Sequence, residues 1–154
     1  MKAEVKHVEV VPAPLIFLAL LVVGLMLNRD IPIRFLPSSL AHVAGIVAAA
    51  GSLLVGGSAV ISMRRAHTSP NPRTPTRALV ETGMFRYTRN PLYLSLLGLY
   101  TGIAVYANDL WPILLIPLLV VLVEGWVVKP EETYLEQSFG DAYTSYKKRV
   151  RRWI

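Results

Sequence analysis

The sequence predicts an all-α fold: a polytopic membrane bundle of four transmembrane helices, followed by an amphipathic helix lying at the membrane interface. Three observations predict it. Apolar residues make up 53% of the 154-residue chain and charged residues only 17%, more apolar surface than a water-soluble domain of this size can hide. Four segments are long and apolar enough to cross a bilayer as helix, which takes roughly 17–25 residues. The basic residues gather on alternating sides of those segments. No linker, repeat or low-complexity tract divides the chain, so residues 1–154 read as one membrane domain.

In chain order, "MKAEVKHVEV" mixes charge signs and no small-residue cleavage site follows, so the first apolar segment is expected to be retained. That segment is the first span, 11–27. The second span, 40–63, carries Ala41, Gly45, Ala49, Ser52 and Gly56 at spacings of three or four, a smooth stripe for close helix approach. A loop over 64–90 follows, longer than a helix connection needs and therefore a candidate for function. The third span, 91–107, begins after Asn90, a good N-cap, with Pro91 at the first helical position, and holds the small pair Gly98 and Gly102. The fourth span, 110–128, has Trp111 and Trp126 near its two ends, as interfacial aromatic belts require. The C-terminal segment, 130–153, starts with Pro130, Glu131 and Glu132. It sets Leu135, Phe139, Tyr143, Tyr146, Val150 and Trp153 on one apolar face, broken at Gly140, where Asp141 can cap a second short helix. Its polar side ends in "KKRVRR", suited to an anionic membrane surface.

Fourteen of the 16 lysines and arginines fall in the N-terminal tail, the second loop and the C-terminal tail. Four spans put those three regions on one side, and the positive-inside bias makes that side cytoplasmic, with both termini inside an inner or plasma membrane. The net charge of +6 is then explained by topology and lipid headgroups, with no need of nucleic acid. Cysteine is absent, which excludes disulfides, thiolate metal sites and cysteine nucleophiles. His42 and His67 lack metal-ligand company at useful spacing, so no metal site is expected.

Chemistry is expected in the two cytoplasmic segments. The free amides of the third span's first turn favour an anion, and Arg86 and Arg89 add charge beside them, although topology alone also accounts for these arginines. Glu124 is the one acid well inside a span, a functional candidate by default, with pairing to an arginine as the plainer alternative. It precedes Glu131 by seven residues, two turns along the same face of a continuous helix.

Taken together, "ALVETGMFRYTRNPLY" and "EETYLEQSFGDAYTSYKKRV" resemble the isoprenylcysteine carboxyl methyltransferase and phospholipid methyltransferase superfamily, integral membrane enzymes that use S-adenosylmethionine. The likeness runs from about residue 77 to 150. It implies methyl transfer to a membrane-embedded lipophilic acceptor, with cofactor contacts from Leu79, Val80, Phe85, Asn90, Pro91, Tyr93 and Glu131. Arg89 or the nearby amides would face the cofactor's carboxylate. No catalytic acid or base is implied, because the sulfonium already activates the methyl group. Asn90 replaces the family's usual histidine, which removes an imidazole proton but keeps hydrogen bonding. Val127 stands where prenylcysteine enzymes have an arginine associated with substrate, leaving Glu124 and Lys129 as substrate-side candidates. Two other readings remain: an NADPH-dependent membrane reductase of sterol or polyprenyl type, and a non-catalytic four-span scaffold. Oligomeric state is left open.

Overall fold

The computed structural model describes residues 11–70, 74 and 76–154, and among them every regular element is helical. Lys2, Lys6 and Arg73, three of the charges that orient the chain, lie outside the described residues. The helices are α1 (Ala13–Asp30), α2 (Ser38–Arg65), α3 (Pro91–Tyr106), α4 (Leu110–Leu114), α5 (Ile116–Val123), α6 (Lys129–Phe139) and α7 (Asp141–Arg149), with a 3₁₀ turn at Gly83–Arg86.

Two helices, α1 and α2, are long and apolar enough to cross a membrane; α3 is apolar but has only 16 residues. Only 22% of the apolar window of α1 and 17% of that of α2 are buried within the protein. A core helix of a soluble protein would be mostly covered. Here Leu18, Met26, Val47 and Leu54 are exposed, and so are Leu118 and Val121 of α5. Apolar side chains facing outward around the bundle are what hydrocarbon, not water, accommodates.

The packing between helices follows the small-residue stripes. α3 lies most extensively against α2. A Cβ added at Gly102 would stand 2.8 Å from the Ala49 amide nitrogen and 3.0 Å from the Gly45 carbonyl oxygen, so only glycine lets the two backbones come this close. Ser95 Oγ donates across the same seam to the Ser52 carbonyl at 2.7 Å. The other face of α3 joins α1 and the fourth segment in a core of Ile16, Phe17, Tyr100, Leu119 and Val123, with Phe17 edge-on to Tyr100. At the end away from the two charged segments, Asn108 accepts from the Phe35 and Leu36 amides at 3.2 and 3.1 Å and donates to the Leu36 carbonyl at 2.7 Å. One side chain thereby ties the α1–α2 connection to the α3–α4 turn.

The fourth segment departs from a simple span. It is divided into α4 and α5, then widens into a π turn at Glu124–Val128, where the Lys129 amide reaches the Glu124 carbonyl five residues back. That turn leads directly into α6. Pro130 lies in the first turn of α6 with Glu131 and Glu132, but no loop separates α6 from α5. The π turn displaces the backbone ladder where the proline ring would otherwise crowd a carbonyl one turn earlier, so the rod continues past it. Gly140 does break it: at φ +52° and ψ −124° it turns the chain from α6 into α7. Asp141 is the first residue of α7 and makes no capping bond.

Candidate functional site

The site forms at the charged end of the bundle, where the second loop, the start of α3 and the two C-terminal helices meet. Asn90 precedes α3 and Pro91 occupies its first position, yet the Asn90 side chain does not cap the helix. Its Nδ2 donates instead to the Arg152 carbonyl at 3.0 Å, joined there by Thr88 Oγ1 at 3.0 Å, while the Arg89 amide donates to the Arg151 carbonyl at 3.0 Å. The chain's final residues are thus strapped across the entrance to α3. A buried polar side chain takes the strongest partner within reach, and here that is a distant carbonyl rather than its own helix.

Behind the strap is a cavity of about 60 Å³. Leu79, Val80, Phe85, Arg89, Asn90 and Glu131 all line it. Tyr93, one turn into α3, donates from its hydroxyl to Glu131 Oε2 at 2.6 Å, and Pro91 is buried beside it. The sequence positions from 79 to 93 and Glu131 therefore share one place, through a contact spanning 38 residues. Glu124 and Lys129 do not line the cavity. Glu124 accepts from Arg152 Nη1 at 2.7 Å and stands 3.6 Å from Lys129 Nζ.

Polar residues that sequence reasoning did not assign to the site also take part in it. Glu132 and Tyr143 line the cavity, Tyr146 donates to the Phe85 carbonyl at 2.7 Å, and Arg152 holds Glu132 through Nε and Nη2 at 3.1 and 2.8 Å. Glu132 was recognisable as half of the acidic pair, and the tyrosines as part of an apolar face. Arg152 carried no signal beyond its place in a basic run. Three members of that run also make ion pairs within the protein: Lys147 with Glu136, the exposed Arg149 with Glu81, and the half-buried Arg152 with Glu132 and Glu124.

The cavity's lining carries charge of both signs. Arg89 Nη1 lies 3.1 Å from Glu132 Oε1, close enough for charge attraction. Even so, Nη1 and Nε are buried and neither is aligned to hydrogen-bond any group among the described residues. The guanidinium is thus held by the Glu132 charge and by a hydrogen bond with Tyr143, while Nε and Nη1 make no aligned hydrogen bond. In the same lining, burial pushes the Glu131 carboxyl above the usual carboxylate range; the Tyr93 hydrogen bond opposes this and the Glu132 charge adds to it. Burial likewise pushes the Tyr143 hydroxyl up to about 12, with the Glu132 charge contributing.

A family model described as phospholipid methyltransferase matches residues 40–142. An uncharacterised protein of Haemophilus influenzae is 35% identical over 63 residues, which are 41% of this chain and the whole of that protein. No solved structure matches the chain.

Proposed function

We propose, from the premise that this chain belongs to the phospholipid methyltransferase family, that it transfers a methyl group from S-adenosylmethionine to a lipophilic acceptor embedded in the membrane. The observation that carries the reading is the cavity's lining: the buried Arg89 guanidinium and the Tyr93-bonded Glu131 carboxyl, among Leu79, Val80, Phe85 and Asn90. The donor set fits the cofactor's amino-acid end. Arg89 would take its carboxylate, Glu131 its ammonium or ribose hydroxyls, and Phe85 would border the adenine. When bound, the cofactor supplies an electrophilic methyl group on sulfonium. The chain's own task is then to hold, orient and exclude water rather than to move protons. Tyr93 acts as a positioning residue, fixing Glu131.

The cavity is far smaller than the roughly 300 Å³ of a small-molecule pocket, so binding must widen it. Among the described residues, the contacts that would yield are the Thr76 amide to Tyr134 hydroxyl bond at 3.3 Å and the Thr68–Ala78 pair at 3.0 and 3.2 Å. In the membrane we read α1, α2, α3 and the α4–α5 rod as four spans, with the site and both termini in the cytoplasm. The family and the acidic lining favour this reading over a nicotinamide-dependent reductase or an inert scaffold.

The test is direct. The purified protein in detergent is titrated with S-adenosylmethionine by calorimetry, then offered methyl-labelled cofactor and a membrane lipid extract. Binding that is as tight in Glu131→Ala and Tyr93→Ala as in the wild type would move the site elsewhere, and label recovered in no lipid would remove the acceptor class.

A further inference from the structure

The π turn at Glu124–Val128 decides which of two adjacent glutamates meets which partner. In an unbroken α-helix, residues seven apart lie about 20° from a common face, and residues eight apart lie about 80° round the axis. The extra residue of a π turn takes back about 100°. Glu132, eight residues after Glu124, therefore returns to the Glu124 face, and Glu131 turns off it. The side chains follow this register. Arg152 Nη1 donates to Glu124 Oε1 at 2.7 Å, while Nε and Nη2 donate to Glu132 Oε1 and Oε2 at 3.1 and 2.8 Å. Glu131 accepts from the Tyr93 hydroxyl instead, at 2.6 Å. One guanidinium thus bridges the π turn, with two donors on Glu132 and a third on Glu124.

Arg152 is itself fixed from both sides. Its carbonyl accepts from Asn90 Nδ2 and Thr88 Oγ1, both at 3.0 Å, and Trp153 packs partly buried against the apolar core. Glu132 Oε1, which takes Arg152 Nε, also stands 3.1 Å from Arg89 Nη1. The side chains of Arg89 and Glu132 are 9% and 8% exposed, so neither charge has much water to replace a lost partner. Arg89 and Glu132 line the cavity, and Arg152 reaches it only through them. We propose that Arg152 is a positioning residue: anchored on Glu124 across the π turn, it fixes Glu132, and through Glu132 it holds the Arg89 guanidinium at the cavity wall. The consequence for the cofactor rests on the methyl-transfer reading, whereas the holding of Arg89 does not.

Phenylglyoxal labelling of arginines in the full chain in detergent, located by peptide mass spectrometry, tests the holding without cofactor. In the wild type Arg89 should label far more slowly than the exposed Arg64. Arg152→Met should raise the Arg89 rate about tenfold, since protection follows the population of locally open states and one charge-assisted hydrogen bond is worth at least that factor. Glu124→Ala, outside the cavity, should raise it as well, and combined with Arg152→Met should add nothing further. Gly102→Val lowers stability at the distant α2–α3 seam and should leave the Arg89 rate unchanged. Arg89 still protected in Arg152→Met or in Glu124→Ala, or labelled as fast in Gly102→Val, overturns the proposal. Calorimetric titration with S-adenosylmethionine reads the consequence: affinity about tenfold weaker in Arg152→Met and unchanged in Gly102→Val. Cofactor held by Arg152→Met as tightly as by the wild type overturns the positioning role. A wild type that binds no cofactor removes the methyl-transfer reading alone, and the labelling still decides whether Arg152 holds Arg89.

Discussion

Replacing Arg152 with methionine removes three charge-assisted hydrogen bonds at once: two to Glu132, at 3.1 and 2.8 Å, and one to Glu124, at 2.7 Å. Glu132 is almost fully covered, with 8% of its side chain exposed, and would keep only the misaligned Arg89 at 3.1 Å. Glu124 would keep Lys129 at 3.6 Å, in a more solvated setting. Stripping one partner from a buried ion pair costs about 3–5 kcal/mol and from an exposed pair about 0–1. Arg152 is itself 29% exposed, so a loss of about 2–3 kcal/mol is expected on that scale. In a chain of this size each kcal/mol shifts the unfolding midpoint by roughly 2–4 °C, so the variant should melt about 5–10 °C lower. Thermal unfolding in micelles, followed by tryptophan fluorescence, reads the shift. Arg152→Lys should recover only part of it, because an ammonium cannot span both oxygens of Glu132. A double-mutant cycle with Glu132→Gln should give a coupling of at least ~1 kcal/mol. A midpoint that moves by less than a degree, or an additive cycle, would show that Arg152 is a headgroup-facing cation and refute the reasoning.

Gly102→Val should destabilise the α2–α3 seam by about 1–3 kcal/mol through overpacking, measured by the same melt; an unchanged midpoint would mean the helices can part without loss. Tyr93→Phe deletes the 2.6 Å bond to Glu131 and should weaken cofactor binding about tenfold in calorimetry. Binding should also be linked to pH. The folded chain holds the Glu131 proton above the ordinary value of 4.5, so ionising it costs stability as pH rises from that value through the raised one. A bound ammonium favours the carboxylate, so binding should release a proton and tighten with rising pH until Glu131 is ionised. Calorimetry in two buffers of different ionisation enthalpy measures the release, and Glu131→Gln should abolish it.

Local chemistry made several of these features legible from residues alone. Hydropathy located α1, α2, α3 and the fourth apolar segment to within a few residues, because burial in oil demands a long run whatever its neighbours do. The glycine stripe of α2 and the pair in α3 were readable because close approach requires small residues at fixed spacing. Partner choice was not readable. Whether Arg152 faces a phosphate or Glu132 depends on which side Gly140 turns α7, and no periodicity encodes that. Asn90 illustrates the same limit: its local preference is to cap, but a carbonyl 62 residues away takes its amide. Glu124 was flagged by its depth in an apolar run, and its arginine partner was the plainer of the two readings weighed. Pro130, Glu131 and Glu132 do occupy the first turn of α6; the π turn that joins it to α5 without a loop is invisible to a pattern that assumes 3.6 residues per turn.

The unbroken passage from α5 through the π turn into α6 has a mechanical consequence. A bilayer thinner or thicker than the apolar length of that rod is accommodated partly by tilt. Its α6 extension carries Glu131, while Tyr93 sits on α3, so a lean of the rod changes the separation between the two. Sterol content and acyl length would then act on cofactor affinity as mechanical inputs, with the host membrane setting the gap between acid and phenol.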